Sequence, residues 1–172
     1  KGDMFGGQID AQLVGDILKL DAGGHVIDDL DTVTPVAQRV FYAGLEGGFS
    51  FSGIGGITIL VGLSELGPLS VAIEAHLPPP IIVDPPFGIA INDFFASVEF
   101  FKTLPSIDEP EQLRGSDFQP PGAVSPEEWL STLKSQVAAQ ALLLRQNPGM
   151  NGFAAAFTAP MTITGSAKVF DT

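Results

Sequence analysis

The amino-acid sequence predicts a mainly β protein, an antiparallel β-sandwich or open barrel of about six to eight strands, with one amphipathic α-helix, about residues 126–146, packed on a sheet face. Three observations lead there. Apolar and polar residues alternate with a period of two over several separate stretches, the spacing that places one set of side chains on each side of a strand. Glycine and proline, 20 and 14 in number, cluster between those stretches and supply the turns. One segment alone carries a full helix-start signal, Ser125-Pro126-Glu127-Glu128.

From Gln8 to Leu20 the apolar residues Ile9, Ala11, Leu13 and Ile17 alternate with Asp10, Gln12 and Asp16, which predicts a half-buried strand. Leu18 and Leu20 then break the phase, and a bulge near Ile17 is the expected cause. Asp21 to Gly24 has turn composition, and 25–35 reads as a polar connection. From Val40, Phe41, Ala43, Leu45, Phe49 and Phe51 share one face, with Tyr42, Glu46, Ser50 and Ser52 on the other. Gly53 to Gly56 is a turn, after which Ile57, Ile59, Val61 and Leu63 form the next strand. Leu69, Val71, Ile73, Ala75 and Leu77 form a third, and Pro78, Pro79 and Pro80 are expected to end its ladder because proline donates no hydrogen bond. The three strands together suggest an antiparallel meander.

Ile81 to Val83, bounded by Asp84, Pro85 and Pro86, reads as an edge or crossing segment. Ile89 to Phe100 continues the sheet with a kink at Asn92 and Asp93, and the doublets Phe94/Phe95 and Phe100/Phe101 put a phenylalanine on each face of a regular strand. Four prolines and four acids in 103–124 disfavour helix and ladder alike, so an extended connection is expected. In the helix, Leu130, Leu133, Val137, Ala141 and Leu144 fall on one stripe, with Lys134, Gln136 and Gln140 elsewhere. Asn147, Pro148 and Gly149 stop it, and Met161 to Val169 alternates as a closing strand. One domain is therefore expected over 1–172, divided into a meander core at 1–102, a Pro-rich acidic connection at 103–124, the helix at 125–149 and the closing strand at 150–172.

Composition narrows the function. Apolar residues make up 45% and charged residues 16%, so the chain must hide much of its surface in a core or against neighbours. A formal charge of −12, with the eight basic residues spread evenly, repels phosphate backbones and makes nucleic acid an improper partner. With no cysteine, disulfides and thiolate chemistry are excluded. Because the chain starts at Lys1, a processed product or excised piece is expected. Phe49 to Leu63 is too short and glycine-rich for a transmembrane helix, which needs about 20 apolar residues. Single tyrosine and tryptophan residues leave no material for the aromatic girdles of a transmembrane β-barrel.

Chemical motifs are sparse. His25 and His76 are the only imidazoles, and a solvated histidine is the default for His76 on a polar strand face beside Glu74; an enzyme built on that pair ranks third among the functions considered. Gly48-Phe49-Ser50-Phe51-Ser52 lacks the last glycine of a nucleophile elbow, and Gly53-Ile54-Gly55-Gly56 precedes a strand, not the helix that a dinucleotide site requires. No catalytic residue and no cofactor is therefore assigned. Asp28, Asp29 and Asp31, with Asp21 nearby, are calcium candidates because hard cations take several carboxylate oxygens from a loop, although an acidic solvated loop is the ordinary outcome. The leading functional expectation is a structural or interaction module of an extracellular or cell-surface assembly, a filament or oligomer subunit. It would self-associate with other protein subunits by β-strand addition through terminal strands carrying Ile9, Leu13, Ile163 and Val169. The alternative is a carrier or binding protein for an apolar or lipid-like ligand, using Phe94, Phe95, Phe100, Phe101 and Trp129.

Overall fold

A computed structural model describes residues 2–4, 7–51, 55–84, 89–102 and 125–171. The expected Pro-rich connection at 103–124 and the turn at Gly53 and Ile54 lie outside these residues. The protein is mainly β and antiparallel, with an amphipathic helix packed on a sheet face, as the sequence predicts. Seven strands form one open sheet in sequence order: β1 (Gly2–Met4), β2 (Gly7–Leu20), β3 (Gln38–Phe51), β4 (Gly55–Ser64), β5 (Gly67–Asp84), β6 (Ile89–Phe100) and β7 (Met161–Asp171). Two helices, α1 (Pro126–Gln146) and α2 (Gly152–Thr158), lie between β6 and β7 in the chain.

β2 pairs with β3 without a break from Gly7↔Phe51 to Leu20↔Gln38, so the expected bulge near Ile17 is absent. The phase break has another cause. Ile17 keeps its place opposite Phe41, while Leu18 and Leu20 belong to the other face, which turns apolar where α1 covers it. A register shift does occur between Gly62 and Leu63, where Leu69 of β5 is left without an opposite residue and is fully buried.

Pro78 to Pro80 do not end the ladder. Pairing of β5 with β6 shifts register between His76↔Asp93 and Ile81↔Ile91, five residues on one strand against two on the other, and then resumes through Ile82↔Ala90. The irregular stretch absorbs the residues that cannot donate, and 81–83 lies inside β5, between β4 and β6 in sheet order, not at an edge. The kink expected at Asn92 and Asp93 is present as a shift between Ile91 and Asp93.

α1 begins with a reciprocal cap. Glu128 N–H donates to Ser125 Oγ (3.2 Å) and Ser125 N–H donates to Glu128 Oε2 (3.1 Å), with proline in the first turn. Its buried stripe is Leu133, Gln136, Val137, Gln140 and Ala141, so the two glutamines face inward, contrary to the sequence expectation. They are tolerated there because the strand ends offer partners. Gln136 Nε2 donates to the carbonyl oxygens of Phe100 (2.9 Å) and Leu69 (3.3 Å), and Ser64 Oγ donates to Gln140 Oε1 (2.6 Å).

The seat of α1 is made by two glycines directly opposite one another, Gly44 on β3 and Gly62 on β4. A Cβ at Gly44 would lie 2.6 Å from the Trp129 ring, and one at Gly62 would lie 2.5 Å from Leu133 Cδ2. The missing side chains thus let two of the helix's large residues rest on the backbone of the sheet. α2, within the segment expected to hold only a closing strand, starts at Asn151, whose Oδ1 accepts from Ala154 N–H (2.8 Å), and buries Ala155 and Ala156. Gly152 approaches the β4–β5 turn so closely that a Cβ there would fall on the Leu66 carbonyl.

Candidate functional site: an apolar sheet face with two open edges

Cross-strand partners in the ladder share a face, so the register sorts every strand residue to one side or the other. One row runs Ile9, Phe49, Ile57, Ala75, Phe94, Ala167; the next runs Ala11, Gly47, Ile59, Ile73, Ala96, Gly165; a third runs Leu13, Leu45, Val61, Val71, Val98, Ile163. Gly15, Ala43 and Leu63 follow, then Ile17 opposite Phe41. No residue in these rows has a side chain that can form a hydrogen bond. Apart from the end of β6, where Val98 and Phe100 pack with the core, this face is uncovered among the described residues. Of the nineteen large apolar side chains that stand exposed among the described residues, thirteen lie on it, counting Met161 beyond Ile163, with exposures from 36% at Ile59 to 71% at Ile163.

The opposite face reads Asp10, Gly48, Thr58, Glu74, Phe95 and Ser166 in one row and Gln12, Glu46, Leu60, Ala72, Ser97 and Thr164 in another. It divides along the strands. At the end formed by Leu18, Leu20, Val40, Tyr42 and Leu69, it joins Leu133 and Val137 in the core. At the other end it is polar and open, with a concavity of about 390 Å³ lined chiefly by Asp10, Gln12, Glu46, Gly48, Ser50 and Thr58. Both the helix and this hollow are on the polar side.

The sheet has two edges. Among the described residues β1 pairs β2 only at 7–9, and an isolated bridge joins Leu20 to Val26, which leaves 10–18 of β2 with β3 as its one partner strand. β7 pairs only with β6. Of the residues expected to mediate association, Leu13 on β2 and Ile163 and Val169 on β7 fall at these edges, with Leu13 70% and Ile163 71% exposed, whereas Ile9 lies between β1 and β3, opposite Gly2 and Phe49.

The residues expected to bind an apolar ligand are not gathered. Phe94 is exposed in the apolar rows, while Phe95 takes the opposite face. Phe100 and Phe101 are buried in the core, Phe100 meets Phe157 of α2 edge-on at 5.7 Å, and Trp129 sits over Gly44. The wide apolar surface is instead made of aliphatic residues and Phe41 and Phe49, whose alternation is plain in the sequence but whose exposure is not.

The calcium candidates are occupied locally. Asp28 Oδ1 accepts from Leu30 N–H (2.9 Å), Asp31 accepts from Val33 N–H, Thr34 N–H and the Thr34 hydroxyl, and Asp29 is paired with Lys19 (3.2 Å) and Lys134 (3.5 Å). The Thr34 hydroxyl holds the Asp31 carboxyl below its ordinary range, and Lys19 followed by Lys134 does the same to Asp29. Asp21 is lowered by the His25 backbone N–H that it accepts at 2.8 Å. Among the described residues no three His, Asp or Glu groups converge as a metal site would require. His76 pairs with Asp93 across β5 and β6, with Glu74 one row away on the same face.

The class that fold and surface define is an open antiparallel meander, bearing helices on its polar side and a bare apolar face on the other. No family model, curated protein or solved structure matches the chain. Among the described residues no helix is long and apolar enough to cross a membrane.

Proposed function

We propose that this chain is a structural interaction module of an extracellular or cell-surface assembly, a subunit that works by accepting further β-strands and not by catalysis. The observation that carries the reading is the pair of edges, 10–18 of β2 and β7, that have no outer partner strand among the described residues, on a sheet most of whose apolar face is uncovered by them. Unpaired N–H and C=O groups along an edge are templates for another strand, and soluble proteins ordinarily blunt them with charge, proline or a covering loop. β7 carries neither charge nor proline over Met161 to Ala167. The partner best suited to such edges is another copy of the chain, β7 of one against β2 of the next, which is a head-to-tail contact that either closes into a ring or extends as a filament.

Light-scattering chromatography and electron microscopy of the same fractions test this. Oligomers or filaments are expected from the unaltered chain, and Thr164→Pro and Gly165→Pro are tested separately. Successive residues of an edge strand point their N–H groups in opposite directions, so one of the two substitutions removes an outward donor and abolishes association while the folded subunit survives. A subunit that stays monomeric at high concentration refutes the proposal.

A reading as a binding protein for lipid-like molecules is favoured by the apolar face itself. It draws no support from the phenylalanine doublets, because they are divided between the core and both faces.

A further inference from the structure

We infer that the apolar face is a lipid-facing wall, lying against the acyl chains of a bilayer while the helix-bearing face is turned away from lipid. This rests on the reading of the chain as a module completed by further strands, and it names what covers the face that strand addition leaves bare.

The chemistry of the face selects lipid over protein. Thirteen side chains of roughly 150–200 Å² each, at the exposures given above, present on the order of 1,000 Å² of apolar surface, well beyond the few hundred Å² usual on a soluble monomer. A protein interface of that area ordinarily carries about one hydrogen bond per 100–200 Å². These rows offer no side chain able to make one. Acyl chains require none, and in hydrocarbon the backbone groups must be satisfied by neighbouring strands, as a continuous antiparallel meander does.

The dimensions agree. Ile9 to Ile17 spans eight residue steps, about 27 Å at about 3.4 Å each, which at the tilt of about 35–45° usual in outer-membrane barrels rises about 20 Å, most of their apolar band of about 25 Å. Each strand from β2 to β7 has at least ten residues, and a tilted crossing strand needs about nine to eleven. Polarity is sorted in the same sense. Six strand acids, Asp10, Asp16, Glu46, Glu74, Asp93 and Glu99, take the opposite face, and beyond Ile17 and Phe41 the next row holds Arg39, placed where headgroup phosphates would meet it, opposite Lys19, which is paired with Asp29. The polar residues and the helix share the face turned away from the apolar rows, the arrangement of a barrel segment with a helix in its lumen. Tyr42 and Trp129 are both spent in packing beneath and within α1, which leaves Arg39 at the rim in place of an aromatic girdle.

The absence of cysteine allows a direct test on the full chain. Leu45→Cys and Glu46→Cys, adjacent in β3 and on opposite faces, are each labelled with an environment-sensitive fluorophore and mixed with phosphatidylcholine vesicles with and without brominated acyl chains. The expected result is a blue shift and several-fold quenching at Leu45→Cys and neither at Glu46→Cys. Leu45→Arg, checked for folding by circular dichroism, should lower partition into the same vesicles roughly 30-fold or more. Labels that ignore lipid, or that respond alike on both faces, overturn the inference. If Leu45→Cys instead becomes protected only as the chain oligomerises without lipid, a second copy covers the face, and the interaction module stands while the lipid wall falls. A monomer insensitive to lipid overturns both.

Discussion

The docking of α1 makes a sharp prediction at two glycines of one strand. Gly44 and Gly47 both lie in β3, three residues apart and therefore on opposite faces. At Gly47 a Cβ would meet nothing within 4 Å, whereas at Gly44 it would lie 2.6 Å from two carbons of the Trp129 ring. Alanine at Gly47 removes backbone freedom from the unfolded chain and meets no obstacle, which should stabilise by about 0.5–1 kcal/mol. Alanine at Gly44 receives the same gain but must displace the indole, an overpacking penalty of about 1–3 kcal/mol. The two variants should thus differ by about 1–3 kcal/mol in urea unfolding followed by far-ultraviolet circular dichroism. Trp129 is the only tryptophan, so its emission reports the same event and should shift to the red in Gly44→Ala alone. The double variant Gly44→Ala with Trp129→Leu should recover part of the loss, since the smaller side chain leaves room for the new methyl. Equal stability of the two single variants, with unchanged Trp129 emission, would show that α1 does not rest on this glycine seat.

Three further outcomes follow from the same contacts. Gly152→Ala should release α2 from the β4–β5 turn at a cost of about 3 kcal/mol, because the methyl meets a backbone carbonyl that cannot rotate away, and faster amide exchange at 152–158 is the readout. Ser125→Ala removes the reciprocal cap and should cost about 1 kcal/mol in thermal unfolding, with Ser125→Asp restoring most of it. The loop at 21–37 should loosen in acid. Asp21, Asp29 and Asp31 are held below 3.8 in the folded chain, so each contributes stability that is present above that value and disappears as pH falls through the lowered folded pKa. Loss of protection at the His25, Val33 and Thr34 amides below about pH 4, ahead of the strands, checks it, whereas protection that is independent of pH down to 2 contradicts it.

Much of the fold is legible from period and punctuation. The strands at 40–51, 57–63, 69–77, 89–100 and 161–169, the helix and its capping box, and the kink at Asn92 all follow from local chemistry that neighbours do not override. Three readings fail for a shared reason. Leu18 and Leu20 resemble a bulge, Gln136 and Gln140 resemble solvated helix positions, and α2 leaves little trace, because each is decided by what packs against it and not by its own pattern. The prolines at 78–80 mislead differently. A local rule says that they cannot donate, but the paired strand is long enough to shift past them and resume.

The apolar face is the part that alternation cannot settle. Period two separates two sets of side chains without saying which set meets water, and in β2 and β3 both sets contain large apolar residues near one end. Composition adds a constraint: at 45% apolar and 16% charged, the chain carries more hydrophobic surface than its few polar positions can dilute. In the folded structure the buried cluster gathers at the α1 end and takes Leu18, Leu20, Val40, Tyr42 and Leu69 from the sheet, all outside the three long apolar rows. Apart from Val98 and Phe100 at the end of β6, which pack with the same cluster, the remaining apolar residues of that face have no cover within the described chain. The same surplus that makes the composition unusual is the surplus displayed on one face.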